Sequence, residues 1–96
     1  MTVTSGPDAD LVAVDLAFDR PSLEVPAGIR FDLEFVNLDA VPHNVSIVDS
    51  RDGVLYAGEL FTGPDDRTYE ISAIPAGTYR FRCDVHPDMV GTLVAQ

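Results

Sequence analysis

The feature that most constrains this chain is a two-residue period in its hydrophobic residues, repeated in several short segments. Around residue 33, apolar Phe31, Leu33 and Phe35 alternate with charged neighbours, which is the pattern of a strand with one buried face. This strand is predicted to begin at Ile29, before Phe31. The same alternation predicts four further strands with these inward faces: Val12, Val14, Leu16 and Phe18; His43, Val45 and Ile47; Tyr69, Ile71 and Ala73; and Tyr79, Phe81 and Cys83. Two more strands are predicted at 22–25 and 90–95.

Turn-forming residues separate the predicted strands. Pro-Ala-Gly occurs at 26–28 and again at 75–77, and Asn, Asp, Gly and Pro occupy the breaks at 37–42, 49–53 and 61–66. No segment combines a long helical period with capping residues. Many short strands with regular turns therefore predict an all-β protein, either a sandwich or a barrel.

The length of 96 residues suits one domain, which we expect to span 1–96 with residues 1–9 as a flexible N-terminal segment. No apolar run approaches the ~20 residues that a membrane-spanning helix needs. The N-terminal residues show neither a basic start nor an apolar stretch, so we expect no secretory signal peptide in this sequence.

The charge balance is strongly acidic. The formal net charge is -10, from 16 acidic and 6 basic residues, and all of the basic residues are Arg. Nucleic-acid binding needs clustered cations to contact phosphates, so this composition argues against it. Two interpretations stay open: the charge attracts a cationic partner, or it only keeps the protein soluble.

The chemistry-bearing segment is 83–89, which places a thiol, an imidazole and a thioether at three-residue steps in Cys83, His86 and Met89. We predict a loop here, because on one strand Cys83 and His86 would point to opposite faces. The chain has one Cys and only one other His, His43. The alternation predicts that His43 and Cys83 both face inward. Two His, one Cys and a weak axial Met are the ligands of a blue-copper site.

Two segments carry a resemblance to a known family. Residues 77–93 resemble the C-terminal signature of the cupredoxins, most of all the plastocyanin–amicyanin group, and Pro42-His43-Asn44-Val45 resembles the first-ligand motif of that family. The two-residue gaps around His86 are similar to the short ligand loop of amicyanin. The resemblance extends from about Leu11 to the end of the chain. It implies a cupredoxin-like Greek-key β-sandwich of about seven to eight strands with no substantial helix.

The resemblance also implies the site. His43, Cys83 and His86 match the strong copper ligands and Met89 the weak axial one. Asn44 matches the residue that ties the His strand to the backbone beside the Cys, and Asp84 stands where relatives carry a hydroxyl or a small residue. If its carboxylate points inward, Asp84 lowers the copper potential.

His86 matches the ligand that reaches the surface through an apolar patch. We expect Pro42, Val85, Pro87 and Met89 to form that patch and redox partner proteins to dock there. Arg82 stands where plastocyanin has a surface Tyr, so we expect electrons to enter and leave through His86.

These observations predict electron transfer by one type 1 copper ion that cycles between Cu(I) and Cu(II), in a monomer that is not an enzyme. The family resemblance implies a location outside the cytoplasm, in the periplasm or at the cell surface. Three alternatives stay open: a copper chaperone or storage domain, a cupredoxin domain excised from a larger copper enzyme, and a metal-free interaction domain of the same fold.

Overall fold

The computed structural model describes residues 8–96, and these residues form strands and no helix. The strands are β1 (Asp8–Val14), β2 (Ala17–Phe18), β3 (Ser22–Val25), β4 (Phe31–Asn37), β5 (Pro42–His43), β6 (Ser46–Val48), β7 (Val54–Ala57), β8 (Phe61–Thr62), β9 (Asp65–Ile71), β10 (Gly77–Cys83) and β11 (His86–Ala95). No helix capable of crossing a membrane occurs among the described residues. Most of the expected flexible segment, residues 1–7, lies outside them, and residues 8 and 9 begin β1.

The strands form a sandwich of two mixed sheets. One sheet has the order β2-β1-β4-β9, the other has the order β3-β11-β10-β6-β7, and β5 pairs with β8 as a separate ribbon. The β1–β4 and β3–β11 pairs are parallel. The all-β sandwich is confirmed, and the strand count exceeds the expected one because β2, β5 and β8 have only two residues each.

The core lies between the two sheets. It takes Leu11, Leu33 and Phe35 from one sheet and Ile47 and Phe81 from the other, all of them fully buried. Burial of such side chains is the main favourable term in folding. Phe35 is at the centre of an aromatic group: its ring centroid lies 5.6 Å from that of Phe61, 6.0 Å from Tyr69 and 6.1 Å from Phe18.

The predicted inward face of the first strand was wrong. In β1 the buried residues are Ala9, Leu11 and Ala13, whereas Val14 is 37% and Leu16 55% exposed. The reason is a tight turn, since β1 ends at Val14 and pairs with β2 across a two-residue connection, Asp15 and Leu16. These two residues have φ of 55° and 62°, as a type I′ hairpin requires.

Two other strands are also shorter than the alternation predicted. Ile29 is exposed because β4 begins only at Phe31, and Ala73 is exposed because β9 ends at Ile71. The buried alternation at Phe31, Leu33 and Phe35 is confirmed.

Candidate metal centre

Cys83 and His86 lie on either side of a two-residue hairpin turn, which is shorter than the loop predicted over residues 83–89. Cys83 ends β10, His86 begins β11, and the two residues face each other across the pair. The register shifts at this point: Arg82 pairs with Val90, so residues 87–89 have no partner on β10. This irregularity is what lets a thiol and an imidazole three residues apart turn toward one point.

His43 reaches the same point from another part of the chain. It ends β5, where it pairs with Phe61 of β8, and its side chain is completely buried. All residues from 43 to 48 are buried, so this segment is enclosed by the sandwich. Cys83 is 1% and Met89 2% exposed, and both belong to the main hydrophobic cluster.

Three donor atoms converge at this end of the sandwich. Cys83 Sγ lies 3.7 Å from His43 Nδ1 and 3.5 Å from His86 Nδ1, and the ligand atoms of the three residues are all within 4.8 Å of one another. The two imidazole rings meet edge to face, with centroids 4.7 Å apart. The structure thus brings together three of the four predicted ligands and buries the fourth, Met89, three residues beyond His86.

The spacing of these atoms fits a shared metal ion. With a metal–sulfur bond of about 2.3 Å and a metal–nitrogen bond of about 2.0 Å, an S···N separation of about 3.5 Å corresponds to a tetrahedral angle at the metal. A separation of about 3.7 Å corresponds to a trigonal angle. The donor set narrows the choice of metal, because a thiolate, two imidazoles and a nearby thioether favour copper over hard cations. The residues present therefore fit a type 1 copper ion.

A hydrogen-bond network joins the two ligand-bearing segments. Asn44, which follows His43, accepts a hydrogen bond at its Oδ1 from the Asp84 backbone N–H (2.9 Å) and donates from Nδ2 to Asp84 Oδ2 (2.9 Å) and to the Gly58 carbonyl (2.9 Å). Ser46 Oγ donates to the same Asp84 oxygen at 2.8 Å. Sequence reasoning named Asn44 and Asp84 here but not Ser46, to which no sequence signal pointed.

The Asp84 carboxylate is held within this network. Its other oxygen faces Arg82 Nε at 3.4 Å, and the side chain is 36% exposed. Burial alone would raise the pKa of Asp84, but the hydrogen bonds from Asn44, Ser46 and Arg82 outweigh it and lower that pKa. The anionic Asp84 side chain therefore links the two segments by hydrogen bonds.

Asp39 is a contact of the site that sequence reasoning missed. Its Oδ2 lies 2.8 Å from His43 Nε2, the ring nitrogen opposite the one that faces Cys83. Hydrogen bonds from the Leu16 backbone N–H and from His43 lower the pKa of Asp39. The available signal was a carboxylate four residues before the candidate ligand, in a turn that the sequence marked only as a break.

Three of the four apolar residues expected in a patch beside His86 are exposed, and the fourth is not. His86 is half-buried, and Pro42, Val85 and Pro87 are exposed. Met89 was also expected in this patch, but it is buried because its side chain belongs to the core.

Comparisons with known proteins agree with this site. The cupredoxin-like domain family matches residues 4–95. Amicyanin from Paracoccus denitrificans is 34% identical over 91 residues, which cover 88% of this chain and 65% of that protein. The chain thus spans just under two thirds of the length of this relative.

Solved structures share the fold. Auracyanin A, a "blue" copper protein from Chloroflexus aurantiacus, superposes with a TM-score of 0.82 at 23% identity, covering 96% of this chain and 100% of the other. Amicyanin from Paracoccus versutus gives a TM-score of 0.71 at 23% identity, covering 99% and 85%. With a family match over nearly its whole length and donor atoms that converge as a cupredoxin site requires, this chain belongs to the cupredoxin-like family.

Proposed function

We propose that this protein is an electron carrier with one type 1 copper ion, held by His43, Cys83 and His86 and, more weakly, by Met89. The observation that carries the proposal is the convergence of one sulfur and two imidazole nitrogens within 4.8 Å at a buried position. The single Cys and both His of the chain are used in this one site. Within these 96 residues no His remains for a second copper centre.

Copper, when bound, supplies the Cu(I)/Cu(II) couple. The protein supplies a site that changes little between the two states. His43, Cys83 and Met89 are almost fully buried, so the sandwich excludes water and limits how far these side chains can move. The Asn44–Asp84 hydrogen bonds fix the two segments that carry the ligands. Small movement on electron transfer keeps the reorganisation energy low.

The test is the visible absorption spectrum after one equivalent of Cu(II) is added to the metal-free protein. We expect a strong blue band from thiolate-to-copper charge transfer, and its complete loss in Cys83→Ser. Asp88→Asn is the control. It should keep the band, because Asp88 is exposed and a carboxylate is not a donor that favours copper over other metals. Voltammetry should show a reversible couple without loss of metal. A colourless wild-type protein would rule out the type 1 site, and a band without a reversible couple would favour copper storage.

We propose further that redox partners dock on the patch formed by Pro42, Val85 and Pro87, with electrons passing through His86. The support is geometric: His86 is half-buried, whereas His43 is enclosed. An apolar surface allows close approach without the cost of desolvating charges.

Electron self-exchange between two copies of the protein tests this docking patch. We expect Val85→Glu to slow self-exchange by about tenfold or more, because a charge placed in a contact surface opposes association. Val54→Glu is the matched control: Val54, on β7, is 56% exposed and Val85 49%, and the added charge is the same. The rate is measured by NMR line broadening in mixtures of oxidised and reduced protein. Equal slowing by both variants would contradict docking at His86.

As the cupredoxin resemblance implies, we place this monomeric carrier outside the cytoplasm, in the periplasm or at the cell surface. Sedimentation of the pure protein and fractionation of the source cells would check these two assignments.

A further inference from the structure

The strongest unassigned contact of the site is the carboxylate of Asp39. Its Oδ2 accepts two hydrogen bonds, from His43 Nε2 at 2.8 Å and from the Leu16 backbone N–H at 3.0 Å, while Oδ1 accepts one from the Asp15 N–H at 2.9 Å. One side chain therefore joins a candidate ligand to the β1–β2 turn, which lies more than twenty residues earlier in the chain.

Asp39 is itself fixed from the other side. Its backbone N–H donates to Asn37 Oδ1 at 2.8 Å, and its carbonyl accepts from the Gly63 N–H at 2.9 Å. Asn37 is fully buried and donates from Nδ2 to the carbonyls of Val41 and Phe61. Because Phe61 pairs with His43, the carboxylate and the imidazole are held in one rigid unit.

This arrangement determines which nitrogen of His43 meets the metal. A carboxylate oxygen facing Nε2 accepts a hydrogen bond from Nε2–H, so the proton stays on Nε2 and the lone pair is on Nδ1, the atom that lies 3.7 Å from Cys83 Sγ. From these contacts we infer that Asp39 is a positioning residue for the copper centre: it holds the tautomer and orientation of His43 and favours Cu(II) over Cu(I). The inference rests on the proposed copper function.

The same contacts couple the site to a strained turn. Asp15 and Leu16 both have left-handed backbone angles, which cost energy for residues other than Gly. The Asp39 carboxylate binds the N–H groups of this turn while it binds His43, so turn and ligand are stabilised by one group.

The test compares Asp39→Asn with Asp19→Asn. Asp19 is a matched control, because its Oδ1 also accepts a backbone hydrogen bond in this hairpin, from Val12 N–H at 2.8 Å, and the variant loses the same charge. We expect Asp39→Asn to weaken Cu(II) binding by about 10- to 100-fold and Cu(I) binding less. Each tenfold difference between the two losses raises the reduction potential by about 59 mV. Asp19→Asn should leave the potential nearly unchanged.

A metal-free readout separates this inference from the proposed function. Two-bond ¹H–¹⁵N correlation spectra of the apoprotein at pH 8 should show His43 as the Nε2–H tautomer in wild type and Asp19→Asn, and as a mixture in Asp39→Asn. If Asp39→Asn does not fold, the pair is repeated in a Leu16→Gly background, which removes strain at that position. A wild type without a blue band would overturn the copper function. An unchanged tautomer and potential in Asp39→Asn would overturn the role of Asp39.

Discussion

Replacing Asn44 by Ala should destabilise the metal-free protein by about 3 kcal/mol, since each buried group left without its hydrogen bond costs roughly 1–3 kcal/mol. The Asn44 side chain is 1% exposed and satisfies the Asp84 backbone N–H, an Asp84 carboxylate oxygen and the Gly58 carbonyl. Ala reaches none of these groups, and the buried position of residue 44 limits the replacement of its hydrogen bonds by water. Urea unfolding of the apoprotein measures the loss.

The graded control for this prediction is Ser46→Ala. Ser46 is equally buried, and its hydroxyl donates to the same Asp84 oxygen. Its replacement by Ala leaves the Asp84 N–H and the Gly58 carbonyl bonded to Asn44. We expect a loss of about 1.5–2 kcal/mol, the lower part of the range for one hydrogen bond to a charged group, because the Asp84 side chain is 36% exposed. The double variant should lose less than the sum, because the two residues share Asp84. Equal effects of the two single variants would show that Asn44 is not the centre of the network.

The origin of this network shows what the sequence was able to predict. Asn44 and Asp84 were identified by the family motif, and the inward direction of His43 and Cys83 followed from strand alternation. Both kinds of signal are local: a few residues at a defined spacing. The buried face of β4 was predictable for the same reason, because Phe31, Leu33 and Phe35 alternate without interruption.

What the sequence did not predict depends on contacts between distant segments. Alternation continues through Val14 and Leu16 in the sequence, but the chain turns at Asp15, and no Asn-Gly or Asp-Gly signal marks this hairpin. The turn forms because Asp39, far away in sequence, accepts its backbone hydrogen bonds. The same carboxylate oxygen also contacts His43, so the position of Asp39 bears both on the wrong inward face of β1 and on the missed contact of the site.

The register shift in the ligand hairpin is a further feature that spacing alone did not reveal. The spacing of the thiol, imidazole and thioether indicated a tight loop over residues 83–89, whereas the structure uses a two-residue turn and unpaired residues 87–89. The number of residues between donors constrains where they can meet, but several backbone paths satisfy it. Sequence therefore predicted the donor types better than the backbone that presents them.

Replacing Phe35 by Ala should produce the largest loss of stability, about 3–5 kcal/mol for a fully buried Phe. Its ring lies among Phe18 of β2, Phe61 of β8 and Tyr69 of β9, so the neighbours cannot close the cavity without moving strands. Phe18→Ala is the control, since Phe18 is only half-buried and should lose clearly less. Both are measured by urea unfolding of the apoprotein, because bound copper stabilises the folded state by mass action.

The Phe35 variant also connects the core to the metal centre. Phe61, which packs on Phe35, pairs with His43 across the β5–β8 ribbon, so a cavity at Phe35 removes support from the strand that carries a ligand. We therefore expect bound copper to stabilise Phe35→Ala by less than it stabilises the wild type. Phe18 contacts Phe35 and Phe81 and not Phe61 among the aromatic pairs described, so copper should stabilise Phe18→Ala by as much as it stabilises the wild type. An equal gain in both variants would mean that the site keeps its geometry independently of the aromatic core, and that the hydrogen bonds of Asn44 and Asp39 are sufficient to hold it.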